Sequence, residues 1–98
     1  MDDNCHVEPL QKTATAGEQQ TTTSALLAVW GMGCPNCAAR VRNSLISLYG
    51  VIDADVDHTM GIAQVMFNPA LVGIPALIRA VARAGGDGRH EYRAQVLN

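Results

Sequence analysis

The stretch that decides the fold is SALLAVWGMGCPNCAARVRNSLISLYG, residues 24–50, because its apolar residues change period partway along. SALLAVW (24–30) is apolar at nearly every position, over a length suited to a buried strand. Beyond it, Ala38, Val41, Leu45 and Leu48 recur at intervals of three and four, the spacing of a helical face. Arg40, Arg42, Asn43 and Ser47 fall largely on the other faces. Between the two patterns lies GMGCPNC (31–37). Pro35 suits the first turn of the helix, where its missing N–H has no partner to lose. Tyr49-Gly50 is read as the helix stop.

Working outward, VIDADVD (51–57) alternates, with Ile52, Ala54 and Val56 on one face and Asp53, Asp55 and Asp57 on the other. HTMG makes a turn, and IAQVMFN returns with Ala63, Val65 and Phe67 assigned inward, closed by Pro69. Ile74, Leu77, Ile78 and Val81 form a second helical stripe over 74–84, with Arg79 and Arg83 outside. GGDG (85–88) breaks it, and HEYRAQVL supplies a last strand. Strand, helix, strand, strand, helix, strand predicts an α+β, ferredoxin-like βαββαβ sandwich, a four-stranded antiparallel sheet with two helices on one face. In that topology the 31–37 loop, the 58–61 hairpin and the 85–90 loop share one end, and the N-terminal segment joins at the other.

The chain has 98 residues, enough for one small domain. Residues 1–23 carry four acids against one lysine and show no apolar period, so they read as a flexible acidic tail on a domain spanning 24–98. The remainder carries six arginines against five acids. An overall charge of −2 with no basic stripe argues against nucleic acid as a partner. No run is apolar enough to insert into a membrane, and no signal peptide opens the chain. Three cysteines are too few for a disulfide scaffold, and a cytoplasmic location with reduced thiols is the expectation. No Ser-His-Asp set, phosphate-binding glycine loop or paired-carboxylate cleft suggests an enzyme.

Cys34 falls in the loop and Cys37 in the first helical turn, so both sulfurs can converge at a helix N-terminus. The partial positive charge there favours thiolate, the metal-binding form. Two thiolates about 4–5 Å apart suit a soft ion content with few ligands, Cu(I) first among them. Structural zinc usually takes four.

GMGCPNC, the helix after it, GV at 50–51, the A-x-V-x-F-N-P run at 63–69 and the ending ARAG together resemble the heavy-metal-associated domain family. The likeness covers about residues 30–97. It implies that Cys34 and Cys37 bind metal at a shallow, exposed site, that Met32 packs beneath the loop, and that metal passes to a partner through shared thiolates. The partner so implied is a metal-transporting P-type ATPase or a metallochaperone. The chain itself would be a free copper chaperone or the N-terminal metal-binding domain of such an ATPase. A monomer is expected, with a metal-bridged dimer as the alternative. Gly33 stands where the family often has Thr, and where zinc-preferring relatives often carry Asp, which leans toward copper. Gly86 stands where relatives place Tyr or Phe after Ala-Gly, so no aromatic lid is expected there.

Further ligands are weighed against plainer roles. Cys5 and His6 in the tail could fold back and complete a Cys₃His set for Zn(II) or Cd(II), against the plainer role of a spare thiol. His90 and, less so, His58 lie at the metal end, each otherwise an exposed loop histidine. Met60 is read as incidental, Trp30 as a packing residue at a strand end, and the aspartate row as a solvated strand face. Arg40 and Arg42 could steer docking to an acidic partner, or simply face solvent. A redox dithiol cycling through a Cys34–Cys37 disulfide is the remaining function class.

Overall fold

The computed structural model describes residue 10, residues 22–85 and residues 91–97. Its elements are β1 (Thr23–Trp30), α1 (Pro35–Ile46), β2 (Val51–Asp57), β3 (Ile62–Phe67), α2 (Ile74–Ala84) and β4 (Arg93–Val96). The strands form one sheet in the order β2-β3-β1-β4, antiparallel at every junction. Both helices pack on one face of it, the expected ferredoxin-like sandwich.

The covered face carries Ala25, Leu27 and Val29 of β1, Ala54 of β2, and Ala63, Val65 and Phe67 of β3. Val41 and Leu45 of α1 and Leu77 and Val81 of α2 close over them, fully buried. Each such aliphatic side chain contributes roughly 1.5–3 kcal/mol. The inward set on β3 is the one expected. In α2, Ala80 is buried while Ile74 and Ile78 are half-buried, because the stripe that meets the sheet is narrower than the apolar stripe in the sequence.

Three sequence expectations are corrected. The apolar run of β1 is not buried throughout: Leu26 and Ala28 are half-buried and Trp30 is 51% exposed, because helices cover only one face of this antiparallel sheet. α1 ends at Ile46 rather than at Tyr49-Gly50; Ser47 and Leu48 donate to the carbonyls of Asn43 and Leu45 at 3.1 Å and tighten the end. Gly50 instead takes φ +102° in the turn into β2, where an added Cβ would come within 2.9 Å of the Leu71 and Val72 side chains. In β2 a bulge between Val51 and Asp53 breaks the alternation, so Val51 and Ala54 point inward and Ile52 moves to a half-buried position.

The sheet fixes which loops meet. The Val29 N–H donates to the Gly61 carbonyl at 2.8 Å, tying the β2–β3 hairpin to the end of β1. Gly31 packs on the Glu91 carbonyl just ahead of β4. Thr23, at the start of β1, pairs with Phe67 at the far end. In the hairpin, Asp57 is more than a solvated strand residue. Its carboxylate accepts the Thr59 N–H at 2.9 Å, the Thr59 hydroxyl at 2.6 Å and the Met60 N–H at 3.3 Å, which pins the turn.

Candidate metal centre

Cys34 is the N-cap of α1, in extended conformation (φ −156°, ψ 164°), with Pro35 opening the helix. The Cys37 N–H donates to the Cys34 carbonyl at 3.0 Å, closing a turn that sets both side chains on one side of the helix start. Cys34 is half-buried and Cys37 is only 3% exposed. The sulfurs are 3.0 Å apart, closer than the 4–5 Å expected from the sequence. The reason is a hydrogen bond between them. An ion held by both at about 2.3 Å per bond would part them to roughly 4–4.6 Å. Gly33, beside the pair, faces open space: a Cβ built on it meets nothing within 4 Å.

The pair divides its protons unequally. Burial pushes the Cys37 thiol up, but the Tyr92 hydroxyl beside it, the hydrogen bond with Cys34 and the backbone at Gly33 outweigh it and bring Cys37 down to about 7. Cys34 is raised, first because its S–H is held by Cys37 and then by burial. Near neutral pH the geometry therefore favours a Cys37 thiolate with Cys34 as its donor. Binding a metal through both sulfurs needs only one further proton to leave.

Tyr92 is the residue that sequence reasoning missed. It is buried where β4 begins, its hydroxyl beside Cys37 and its ring 3.2 Å from the position of a Cβ on Gly31. Burial, then the contact with Cys37, pushes its own hydroxyl strongly up, so it stays a donor. The signal in the sequence was an aromatic at the head of the last strand, six residues beyond Gly86, where an aromatic had been looked for. Gly31 at φ +101° is what admits this approach: a Cβ there would collide with the Glu91 carbonyl.

Of the other candidates, Met32 is half-buried against the core and Arg40 is half-buried on α1. Arg42 donates through Nη1 to the Leu10 carbonyl at 3.2 Å, and Asn43 Oδ1 accepts the Leu10 N–H at 3.0 Å. His58 is half-buried in the hairpin beside Asp57, and Met60 is 71% exposed. Trp30, expected to pack, lies on the open sheet face across from Arg93. Cys5, His6 and His90 lie outside the described residues. Among the described residues no three or more His, Cys, Asp or Glu side chains converge as a metal site, which leaves the two sulfurs. No helix among them is long and apolar enough to cross a membrane.

Known proteins are similar to this chain in sequence and in fold. The chain is 32% identical over 78 residues to "Copper-transporting ATPase HMA5" of Oryza sativa subsp. japonica, an alignment spanning 80% of this chain and 8% of that protein. The chain thus spans under a tenth of the curated relatives it matches. Oxidized MerP from Ralstonia metallidurans CH34 superposes with a TM-score of 0.70 at 29% identity, covering 80% of this chain and all of the other. The CopZ metallochaperone does so with a TM-score of 0.66 at 26% identity, covering 74% and 100%. Residues 26–87, well over half the chain, match the heavy-metal-associated domain, and with the paired sulfurs at the head of α1 this chain belongs to the heavy-metal-associated domain family.

Proposed function

We propose that this domain binds Cu(I) through Cys34 and Cys37 and hands it on by thiolate exchange, with Met32 supporting the loop. The observation that carries this reading is the pair of sulfurs 3.0 Å apart at the exposed head of a helix, with Cys37 held near its thiolate form. Two soft, partly ionised ligands suit a soft monovalent ion. A half-buried Cys34 leaves one side open for an incoming thiolate from a second protein. This geometry supports the reading of the domain as a carrier.

The partner is a metal-transporting P-type ATPase or a metallochaperone, acting in the cytoplasm. The copper-transporting relatives support that reading, and so does the metallochaperone among the structural neighbours. Either role, free chaperone or N-terminal ATPase domain, uses the same two sulfurs. Arg40 on α1, whose first turn holds Cys37, is the cation best placed to meet an acidic partner.

Anaerobic competition against a chromogenic Cu(I) chelator tests the proposal. One-to-one binding that disappears in Cys34→Ser and Cys37→Ser is expected. Cu(I) binding that persists without either cysteine would overturn it.

A further inference from the structure

The sheet face that the helices leave open has an apolar floor and an acidic wall. On the floor Leu26 and Ile62 are half-buried, while Met66 and Met60 are 41% and 71% exposed. Two adjoining shallow depressions, of about 210 and about 190 Å³, run along it and share Asp55 and Gln64. The wall is β2, an edge strand, with Asp53 opposite Met66, Asp55 opposite Gln64 and Asp57 opposite Ile62. Asp57 is committed to its turn. Asp53 Oδ1 accepts only the neighbouring Ala54 N–H, at 2.9 Å, and among the described residues none of the three carboxylates pairs with an arginine.

The opposite charge lies on the other side of the molecule. The two helices together carry four arginines and no acid. The exposed residues of α2 are Pro75, Arg79, Ala82 and Arg83, a strip that mixes apolar and cationic side chains. Arg79 and Arg83 stand at i and i+4 on one helix face, about 6 Å apart along the axis. Asp53 and Asp55 are alternate residues of a strand, about 6.6–6.8 Å apart. The spacings match, yet α2 packs over β4 on the covered face while β2 is the far edge of the sheet. Within one molecule the two pairs do not meet.

Other sources of positive charge fit the wall less well. Arg40 and Arg42 are two residues apart and so do not share a face of α1, and Arg42 is engaged by the Leu10 carbonyl. Arg93 sits on β4 at the opposite edge of the sheet, about 14 Å from β2. The sequence ahead of Thr23 has four acids against one lysine, the wrong sign for this wall.

We propose that the open sheet face of one molecule receives α2 of a second copy, Arg79 and Arg83 meeting Asp53 and Asp55 while the apolar part of the strip lies over Ile62 and Met66. The contact joins two different faces, so it is heterologous and extends into short stacks instead of closing as a dimer. A strip one helix wide buries less than a permanent interface needs, which makes the association transient. The 31–37 loop belongs to neither surface, so Cys34 and Cys37 remain open within a stack.

Sedimentation equilibrium of the full chain tests this, in reductant and a metal chelator so that no ion bridges the copies. At about 0.01 M salt, where charges act over about 30 Å, the mean mass at millimolar concentration should rise above that of one chain. At about 1 M salt, where their reach is about 3 Å, it should fall back to one chain. Asp53→Lys/Asp55→Lys and Arg79→Glu/Arg83→Glu should each weaken association at least about tenfold, because like charges then face each other. Mixed in equal amounts, the two variants should associate again, since each presents the face that the other now needs. A wild type that stays monomeric at low salt would overturn the proposal. Association that survives Arg79→Glu/Arg83→Glu would place another surface on the open face, such as a second open face bringing Arg93, and would overturn it as well. So would a mixture that fails to recover.

Discussion

The two helices begin in closely similar ways. Each has an extended N-cap residue, Cys34 at φ −156° or Gly73 at φ −111°, without a side-chain cap bond. Each has a proline within its first two positions and no acidic residue in its first turn. The backbone field at the two starts is therefore much the same. Yet α1 carries Cys34 and Cys37 at the cap and third positions, where α2 has Gly73 and Ala76. A helix start is thus not itself a site here. The site comes from two sulfurs placed on that start and from a hydroxyl that Tyr92, just ahead of β4, brings up beside Cys37.

The largest effect should come from moving the sulfurs across that comparison. Cys34→Ala or Cys37→Ala is expected to abolish measurable one-to-one Cu(I) binding in chelator competition. Gly73→Cys/Ala76→Cys in a background lacking Cys34 and Cys37 copies the same spacing onto α2. With no counterpart of Tyr92 beside it, the copy should bind Cu(I) at least about tenfold more weakly than the native pair. Equal affinity would mean that the helix start and the spacing suffice.

The helices should behave alike where they are only scaffold. Leu45→Ala in α1 and Leu77→Ala in α2 each empty a fully buried site and should cost about 2–5 kcal/mol in denaturant unfolding. A much smaller loss in either would show that its packing is not shared with the sheet. Gly31→Ala forces an L-residue to φ +101° and into the Glu91 carbonyl; a loss of roughly 1–3 kcal/mol is expected, together with weakened metal binding. Gly33→Ala, with open space around it, should stay within about 0.5 kcal/mol.

Tyr92→Phe sharpens the comparison further. Without the hydroxyl, the Cys37 thiolate loses a donor, and its midpoint should climb by about one unit from about 7. Thiolate absorbance followed against pH measures it, and an unmoved midpoint would remove Tyr92 from the site. The smallest effect belongs to the hairpin. Hydrogen bonds from Thr59 and then Met60 hold Asp57 below the usual carboxylate range. Its contribution to stability is therefore present above the unfolded value near 4 and is lost as pH falls through the depressed folded value. Asp57→Asn should flatten the acid limb of the stability profile slightly without touching metal binding.

The fold was legible because period and spacing are local properties. The switch from the strand of residues 24–30 to the stripe Ala38, Val41, Leu45, the β3 alternation and the α2 boundaries all lie in neighbouring residues. The bulge that turns Ile52 outward did not show, because pairing with β3 rather than β2's own sequence sets it. The early end of α1 was hidden for a similar reason: Gly50 looked like a helix stop, but its positive φ serves the packing of Leu71 and Val72.

The site divides along the same line. Cys34 and Cys37 are separated by only two residues, so the sequence alone determined that two thiols would share one helix start. Their 3.0 Å contact, the burial of Cys37 and the arrival of Tyr92 were decided only by tertiary structure. Tyr92 is fifty-five residues from Cys37 in the chain. It meets that sulfur because β4 pairs with β1 and because Gly31 lacks the Cβ that would hold the two segments apart.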